Sequence, residues 1–318
     1  ELEENLVFLR PLGLRLRTRW SLSWLSGSIF AKLAAHLALI GAGVFTAGWA
    51  ERWETGRLRA DLQFGSVNFL GIALAQMAIL WLALRPRFKL WHLLPFGAVL
   101  VFIQQVPDCR SAVLIGLGFA VLLVLARFLP RLFAAKPVRA LLCLAAPLVA
   151  AFTWALSLVY DKDNKVMAAV DFVLSRRISL AYNTFGMEKL YGNQHFFFGQ
   201  AFIPDGFYRV DNSYIYYYYL CGPIMVALIC LGFVLLTYRL LKQGDLPLAL
   251  AVAMFTVYAV MEHCLSPGLN MTLYLMPIAL YPHAEFALTL QPKAPPKEER
   301  KEQRPDIRGL ISRRAKRS

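Results

Sequence analysis

Apolar residues along this chain come in long blocks that are separated by short polar segments. Each block is as long, or nearly as long, as the roughly 20 residues that a helix needs to cross a bilayer. We therefore predict an all-α polytopic membrane protein, a bundle of about eight transmembrane helices. The predicted spans are approximately 24–48, 66–84, 91–107, 111–129, 138–160, 214–238, 246–263 and 269–288.

Composition supports a membrane protein, and the distribution of charge predicts its orientation. Of the 318 residues, 58% are hydrophobic, and the formal net charge is +14. The basic residues stand in short clusters between apolar blocks, as topology-setting charges do, so nucleic acid is not an expected partner. Both termini are expected in the cytoplasm. The clusters are Arg10, Arg15, Arg17 and Arg19; Arg85, Arg87 and Lys89; Arg127, Arg131, Lys136 and Arg139; Arg239 and Lys242.

The connector at 161–213 breaks the pattern of short loops, and the predicted topology places it outside the cell. A loop of this length in a compact bundle is usually functional. It divides the chain into five predicted parts. These are a basic cytoplasmic segment (1–23), five transmembrane helices (24–160), the large extracytoplasmic loop (161–213), three transmembrane helices (214–288) and a basic, disordered cytoplasmic tail (289–318).

Several arginines lie on the predicted outer side, against the usual bias toward inner positive charge. Arg110 is held in a very short connector, and Arg176 and Arg177 precede an amphipathic stretch. For these three we favour contact with an anionic partner. A lipid anchor that reaches the headgroups is the simpler interpretation of another three. Those three are Arg52, Arg57 and Arg59.

The segment VDNSYIYYYYLCG at 210–222 places polar residues directly before five tyrosines, where the sixth predicted span begins. The tyrosines fit an interfacial aromatic belt, a sugar-stacking platform, or both. Asp211 fits either a helix cap or a catalytic carboxylate. Gly222 and Pro223 predict a bend near the outer end of the span.

The sequence gives little support to metal or nucleotide chemistry. Its five histidines are scattered without metal-ligand spacing, and its five cysteines lie mostly within apolar blocks. No glycine-rich phosphate-binding loop is present. We therefore predict no metal, no other cofactor and no ATP-driven transport.

The order of these motifs resembles the Wzy-type polymerases of bacterial capsule, exopolysaccharide and O-antigen pathways, which are related in fold to the O-antigen ligases. FGSVNFLG at 64–71 is similar to the family's Gly-Phe/Pro-Asn entry to a helix, reduced here to Gly65 and Asn68. PDCRSAVLIGL resembles its Ser-Arg-Thr stretch, and VDFVLSRRISLAYNTF with LYGN resembles the arginine segment that opens its catalytic loop. VDNSYIYYYYLCGPI resembles the segment that closes that loop, and MEHCLSPGLN resembles the later Glu-bearing connector.

The resemblance covers about residues 57–288 and departs from the superfamily at one position. Many members show His-Asn, nine residues and then Gly, whereas this chain has Asp211-Asn212, nine residues and Gly222. Aspartate in place of histidine argues against a ligase. It also leaves open which group accepts the proton, since Glu262 and His263 are further candidates.

This resemblance implies a GT-C-like fold and a metal-independent glycosyltransferase that joins undecaprenyl-pyrophosphate-linked oligosaccharides outside the cytoplasmic membrane. Arg110, Arg176 and Arg177 would stabilise the departing pyrophosphate, and Asp211 would accept the proton of the attacking hydroxyl. The expected partners are the lipid-linked oligosaccharide, membrane lipid, a flippase and a chain-length regulator. The expected substrate-binding residues are Arg57, Arg59, Asn68, Arg110, Arg209, Asn212, Tyr214, Glu262 and His263.

Two alternatives stay open. One is a ligase-like enzyme that passes glycan to another acceptor, and the other is a non-enzymatic transporter of lipid or polysaccharide. An enzyme is expected to concentrate arginine beside a carboxylate on outer loops, as this sequence does. A transporter built from inverted repeats is expected to show broken helices at matching positions in its two halves, and the sequence shows no such repeat.

The predicted topology can be tested by chemical labelling. A single cysteine introduced at residues 161–213 is expected to react with a membrane-impermeant thiol reagent in intact cells, because charge bias places this loop outside. A cysteine introduced at residues 291–318 is expected to react only after the cells are opened. Labelling of the tail in intact cells would reverse the orientation.

Overall fold

The computed structural model describes residues 31–44, 46–51, 56, 58–62, 66–85, 88–173, 176–183 and 211–265. Most of these residues are helical, which confirms the predicted helical class. The predicted terminal segments 1–23 and 289–318, and the part of the large loop from 184 to 210, lie outside the described residues.

The helices follow one another through short connectors, and a small β-hairpin precedes the second helix. The strands are β1 (Trp49–Glu51) and β2 (Leu58–Ala60). A short 3₁₀ turn, Leu90–His92, leads into α3. The helices are α1 (Ala31–Gly41), α2 (Val67–Ala83), α3 (Leu93–Gln105), α4 (Arg110–Phe128), α5 (Pro130–Ala134), α6 (Lys136–Cys143), α7 (Ala145–Leu158), α8 (Lys165–Val173), α9 (residues 177–183), α10 (Ser213–Lys242) and α11 (Leu246–Tyr258).

The hairpin lies beside the connector between α3 and α4. Its strands are antiparallel, with Trp49 paired to Ala60. The amide of Ala60 also donates to the carbonyl of Val106, just after α3, at 3.0 Å. The hairpin is therefore fastened to the α3–α4 connector by a backbone hydrogen bond.

Helix α11 lies at the centre of the bundle, in contact with α2, α4, α6, α7 and α10. Nearly all of its residues are buried, and Phe255 and Tyr258 have no exposed surface. A helix that is apolar on every side requires neighbours on every side. The surrounding helices provide them, with Phe119 of α4 and Leu74 of α2 among the fully buried side chains.

Helices α4 and α10 are apolar on their outer faces as well as their inner ones. Each buries one stripe in the core, as Phe119 does in α4 and Phe233 in α10. Each also exposes a second apolar stripe, which is the arrangement expected where a helix faces lipid. The exposed stripes are Leu114, Leu117, Val121, Leu125 and Phe128 in α4, and Ile224, Leu228, Leu231, Leu235 and Tyr238 in α10.

The number of membrane spans differs from the predicted eight. Among the described residues, α4 and α10 are long and apolar enough to cross a membrane. A third span results if α6 and α7, which meet at 62°, are counted as one bent helix. Each of the first seven predicted spans contains a helix, but several are too short, and residues 269–288 lie outside the described part.

The predicted spans were too long because hydrophobicity continues past the points where the helices end. Helix α3 has only 13 residues. It is followed by a turn in which Asp108 takes a φ of 48°, a left-handed conformation that no α-helix can continue through. The hydropathy of such a block shows that its side chains are apolar, but it does not show where a turn ends the helix.

The predicted bend in the sixth span is confirmed. Within α10, Gly222 has φ 76° and ψ 173°, values outside the helical region, and Pro223 follows it. Glycine reaches positive φ without a steric cost, and proline lacks the amide that would continue the ladder. The roughly 20 residues from Pro223 to Lys242 match the hydrocarbon thickness of a bilayer. The turns of α10 before Gly222 are separated from this stretch by the bend.

The close packing of α2 on the start of α4 can be tested with two glycines. A methyl group at Gly71 would meet Cβ and Sγ of Cys109, with Sγ at 2.7 Å, whereas one at Gly97 of α3 would meet no heavy atom within 4 Å. Gly71→Ala is expected to lower the melting temperature of the detergent-purified protein, because overpacking costs about 1–3 kcal/mol.

Gly97→Ala is the matched control, since it also introduces alanine into a helix. It is expected to leave the melting temperature unchanged or to raise it, because alanine favours a helix over glycine by about 1 kcal/mol. Equal shifts in the two variants would contradict the close approach of α2 and α4.

Candidate functional site

Several helix ends meet at one end of the bundle and build the site. Helices α2, α4, α9 and α10 begin here, and α11 ends here. Helix N-terminal ends carry unpaired N–H groups and C-terminal ends carry unpaired carbonyls, so this region holds many backbone polar groups that need partners. The side chains that satisfy them also fix the positions of the charged groups.

Ser213 joins the start of α10 to the segment that follows α11. Its hydroxyl donates to the carbonyl of Glu262 at 2.8 Å and accepts from the amide of Cys264 at 2.9 Å. Its own amide donates to the carbonyl of Ala259 at 2.8 Å. Ser213 is fully buried, so these bonds are shielded from water and hold the two segments together.

Asn212 caps α10. Its side-chain oxygen accepts from the amides of Tyr214 at 3.0 Å and Ile215 at 3.2 Å, the usual role of a residue at this position. The helix cap is therefore Asn212, and Asp211 stands one residue before it. The interpretation of Asp211 as the cap is wrong, and its carboxylate is available for another role.

Arg177, the first residue of α9, lies between two carboxylates. Its Nη2 is 2.9 Å from Oε1 of Glu262 and 3.5 Å from Oδ2 of Asp211. Its Nε donates to the carbonyl of Met261. The side chain is only 14% exposed, so the guanidinium is held in one place by groups from two other segments.

Glu262 is the most buried of the three charged groups, with a side chain that is 3% exposed. The hydroxyl of Ser111, from the first turn of α4, donates to Oε1 at 2.7 Å. Burial raises the pKa of Glu262 to about 7, and the charge of Asp211 adds to this rise, while Arg177 and the hydroxyl of Ser111 oppose it. Glu262 therefore changes its charge near neutral pH.

Asp211 shares Arg177 with Glu262 but is more accessible, with a side chain that is 37% exposed. Its partial burial raises its pKa, and the positive charge of Arg177 opposes the rise. A carboxylate with a raised pKa is a stronger base than an ordinary aspartate, and this one can be reached from outside.

A cavity of about 360 Å³ opens beside the two carboxylates. This volume falls within the range of about 300–1,000 Å³ that is typical of small-molecule sites. One wall is apolar and comes from Phe69 and Ile72 of α2. The other lining residues are Ser66, Asn68, Asp211, Tyr216, Glu262 and His263.

His263 and Tyr216 form an aromatic pair in this lining. Their ring centroids are 4.0 Å apart in a T-shaped arrangement, and the ring of Tyr217 lies 5.7 Å from His263 on another side. Burial lowers the pKa of His263, which favours the neutral form of the imidazole. Its Nδ1 is buried without a hydrogen-bond partner among the described residues.

The structure brings together five of the residues proposed from sequence. Arg177, Asp211 and Glu262 form one ion-pair cluster. Asn68 and His263 line the cavity beside it. These residues come from four separate parts of the chain, at positions 68, 177, 211 and 262–263.

Other proposed residues lie apart from the cavity lining. Arg176 is exposed, with a left-handed φ of 61°, and Arg110 is exposed at the first position of α4. Tyr214 is fully buried and donates its hydroxyl to the carbonyl of Thr256 at 2.9 Å, so it packs helices together instead of facing the cavity. Arg59 lies on β2, and its Nε is buried without a described partner.

Two proposed binding residues, Arg57 and Arg209, lie outside the described residues, as does Arg52.

Sequence reasoning missed Ser111 and Ser66 and did not single out Tyr216 from its neighbours. Ser111 directly follows Arg110 in the motif PDCRS, where the arginine is the stronger chemical signal. Ser66 accepts from the amide of Asn68 at 3.2 Å as the cap of α2. A serine just before an apolar block is a recognisable capping signal. No sequence signal distinguishes Tyr216 from the adjacent tyrosines, because their directions depend on the helix.

No three His, Cys, Asp or Glu side chains in the described parts of the chain come together as a possible metal site. Comparisons with protein-family models, with curated proteins and with solved structures find no match for the chain.

The raised pKa of Glu262 predicts a pH-dependent stability. The folded protein binds this proton more tightly than the unfolded chain does, so Glu262 makes folding less favourable as pH rises from about 4.5 to about 7. The size of this effect is roughly 3 kcal/mol, from the free energy per pKa unit. Glu262→Gln removes the titration, so its melting temperature is expected to fall less between pH 5 and pH 8.

Glu51→Gln is the control, since Glu51 is an exposed residue of the hairpin. Its melting temperature is expected to follow the wild-type pH dependence. A Glu262→Gln variant with the full wild-type pH dependence would show that another group is responsible.

Proposed function

We propose that this chain is an integral membrane glycosyltransferase that polymerises undecaprenyl-pyrophosphate-linked oligosaccharide repeat units into a bacterial capsular polysaccharide, exopolysaccharide or O-antigen. The observation that carries the proposal is the cluster of Arg177, Asp211 and Glu262 beside a ligand-sized cavity. Glycosyl transfer from a lipid pyrophosphate needs a proton acceptor and a cation for the leaving group. These side chains are of the types required.

Arg177 stabilises the leaving group in the proposed reaction. The anomeric carbon of the donor forms a bond to the acceptor hydroxyl oxygen as its bond to the pyrophosphate oxygen breaks. The electron pair departs with the pyrophosphate. A guanidinium remains protonated under these conditions and binds phosphate oxygens in a fixed geometry, so it stabilises the charge that develops.

Asp211 accepts the proton of the attacking hydroxyl. It lines the cavity, it is more exposed than Glu262, and partial burial increases its basicity. Glu262 is buried against Arg177 and holds the guanidinium through a bond of 2.9 Å. The two carboxylates thus have separate roles that follow from their different exposure.

The aromatic pair of Tyr216 and His263 binds sugar. Aromatic faces stack on the C–H faces of pyranose rings, and both Tyr216 and His263 belong to the cavity lining. Asn68, which also lines the cavity, provides a further donor and acceptor.

In this proposal the site faces the outer leaflet of the bacterial cytoplasmic membrane, and both termini are cytoplasmic. The two long apolar helices support a membrane location. The bend at Gly222 supports a position of Asp211 near the interface, where a lipid pyrophosphate headgroup would lie. A flippase would supply the lipid-linked unit from the cytoplasmic side, and a chain-length regulator would limit the product.

The role of Asp211 can be tested by Asp211→Asn, which keeps the size of the side chain and removes its charge. We expect polymer to be lost while single lipid-linked repeat units accumulate, because the donor can still be made and flipped but not joined. Polymer length and lipid-linked intermediates would be compared by gel and mass spectrometry in cells that express equal amounts of inserted protein.

Asp163→Asn is the matched control, because it makes the same change at an exposed position of the connector before α8. It is expected to support wild-type polymer. Full-length polymer from Asp211→Asn would exclude Asp211 as the proton acceptor and leave Glu262 and His263 as candidates.

A further inference from the structure

The first turn of α9 is capped from a distance. Asp171, in the last turn of α8, is 4% exposed. Its Oδ1 accepts from the amide of Ile178 at 2.8 Å and from the amide of Ser179 at 3.1 Å. These amides are the ones that a helix-capping side chain normally binds.

The residue at the capping position cannot perform this task itself. Arg176 directly precedes α9, and an arginine side chain has no hydrogen-bond acceptor. It also has a φ of 61°, which is unfavourable for a residue with a Cβ atom. Asp171 compensates through two contacts, since its carboxylate replaces the missing cap and its carbonyl accepts from the amide of Arg176 at 2.7 Å.

Further bonds fix this turn. Tyr160, just after α7, donates its hydroxyl to Oδ2 of Asp171 at 3.4 Å. The hydroxyl of Ser179 donates to the carbonyl of Arg176 at 3.0 Å. Both carboxylate oxygens of Asp171 therefore have partners, and α7, α8 and α9 are linked through one buried side chain.

Arg177 is the first residue of the helix that Asp171 caps, so the position of its guanidinium depends on this turn. We propose that Asp171 is a positioning residue, which sets Arg177 between Glu262 and Asp211 by fixing the first turn of α9. This inference rests on the proposed function for its effect on rate, but its structural part can be measured without substrate.

A purely stabilising cap is the competing explanation. In that case, removing Asp171 would reduce the amount of folded protein and leave Arg177 in place in every molecule that folds. Two measurements distinguish these possibilities, one of the environment of Glu262 and one of the polymerisation rate.

The first measurement is an infrared titration of the Glu262 carboxyl in the purified protein, identified as the band that Glu262→Gln removes. Arg177 lowers the pKa of this group, so displacement of the guanidinium raises it. Asp171→Ala is expected to raise the titration midpoint by about one pH unit or more, as Arg177→Ala does. Asp171→Asn keeps the acceptor for both amides and is expected to leave the midpoint unchanged.

If Asp171→Ala does not insert into the membrane, Asp171→Glu replaces it in this measurement, because it keeps the charge and displaces the carboxylate by one methylene. A midpoint that stays at the wild-type value in the variant that folds overturns the inference, whatever happens to polymer synthesis.

The second measurement is the rate of polymer formation per inserted protein, in membranes that carry the lipid-linked repeat unit. Asp171→Ala is expected to lower this rate about tenfold or more, since small misplacements of a catalytic group have large effects. Asp171→Asn is expected to keep the wild-type rate of polymer formation. Asp163→Ala is the matched control and is expected to keep the wild-type rate.

A double variant then tests whether Asp171 acts through Arg177. Asp171→Ala combined with Arg177→Lys is expected to be no slower than Arg177→Lys alone, within about twofold, because two residues that act as one unit are not additive. If the rate loss of the double variant equals the product of the two single losses, the inference is overturned. If the infrared midpoint shifts while no variant differs from the wild type in polymer formation, the positioning stands and the proposed function fails.

Discussion

The pairing of Arg177 with Glu262 is the constraint on which the arrangement of the site depends. Removing charges from water is costly, so a glutamate that is 3% exposed requires a partner held at hydrogen-bond distance. Arg177 provides it at 2.9 Å, and Ser111 adds a second donor. These contacts require the starts of α4 and α9 to meet the segment after α11. A shift of any one of them would leave a buried charge without a partner.

Because the exterior of the bundle is apolar, the backbone groups at the helix ends also need hydrogen-bond partners within the protein. The backbone N–H and C=O groups of a helix bond to one another except at its ends. Near lipid, no water is available to bond the groups that remain. Asn212, Ser66 and Asp171 satisfy the first turns of α10, α2 and α9 with side-chain oxygens. Ser213 adds the bonds between α10 and the segment after α11. The same polar residues that complete these helices therefore also determine where the charged groups lie.

The sequence predicted the helical class and the bend at Gly222, because each has a local signal. The sequence also singled out Arg177, Asp211 and Glu262 as separate candidates, but it did not predict the ion pairs that join them. It overestimated the number of spans, since apolar blocks continue through turns such as the one at Asp108. It could not show that Asn212 would cap α10 in place of Asp211, or that Ser111 would reach Glu262 across 151 positions of sequence. Such contacts depend on how the helices pack against one another, and the periodicity of apolar residues does not determine that packing.

The difference between the two carboxylates follows from their distance from water. Both lie beside Arg177, but Glu262 is nearly fully buried and has a pKa of about 7, whereas Asp211 is more than a third exposed. In the proposed reaction, the buried glutamate holds Arg177 in position through its hydrogen bond, and the exposed aspartate is the carboxylate that accepts a proton.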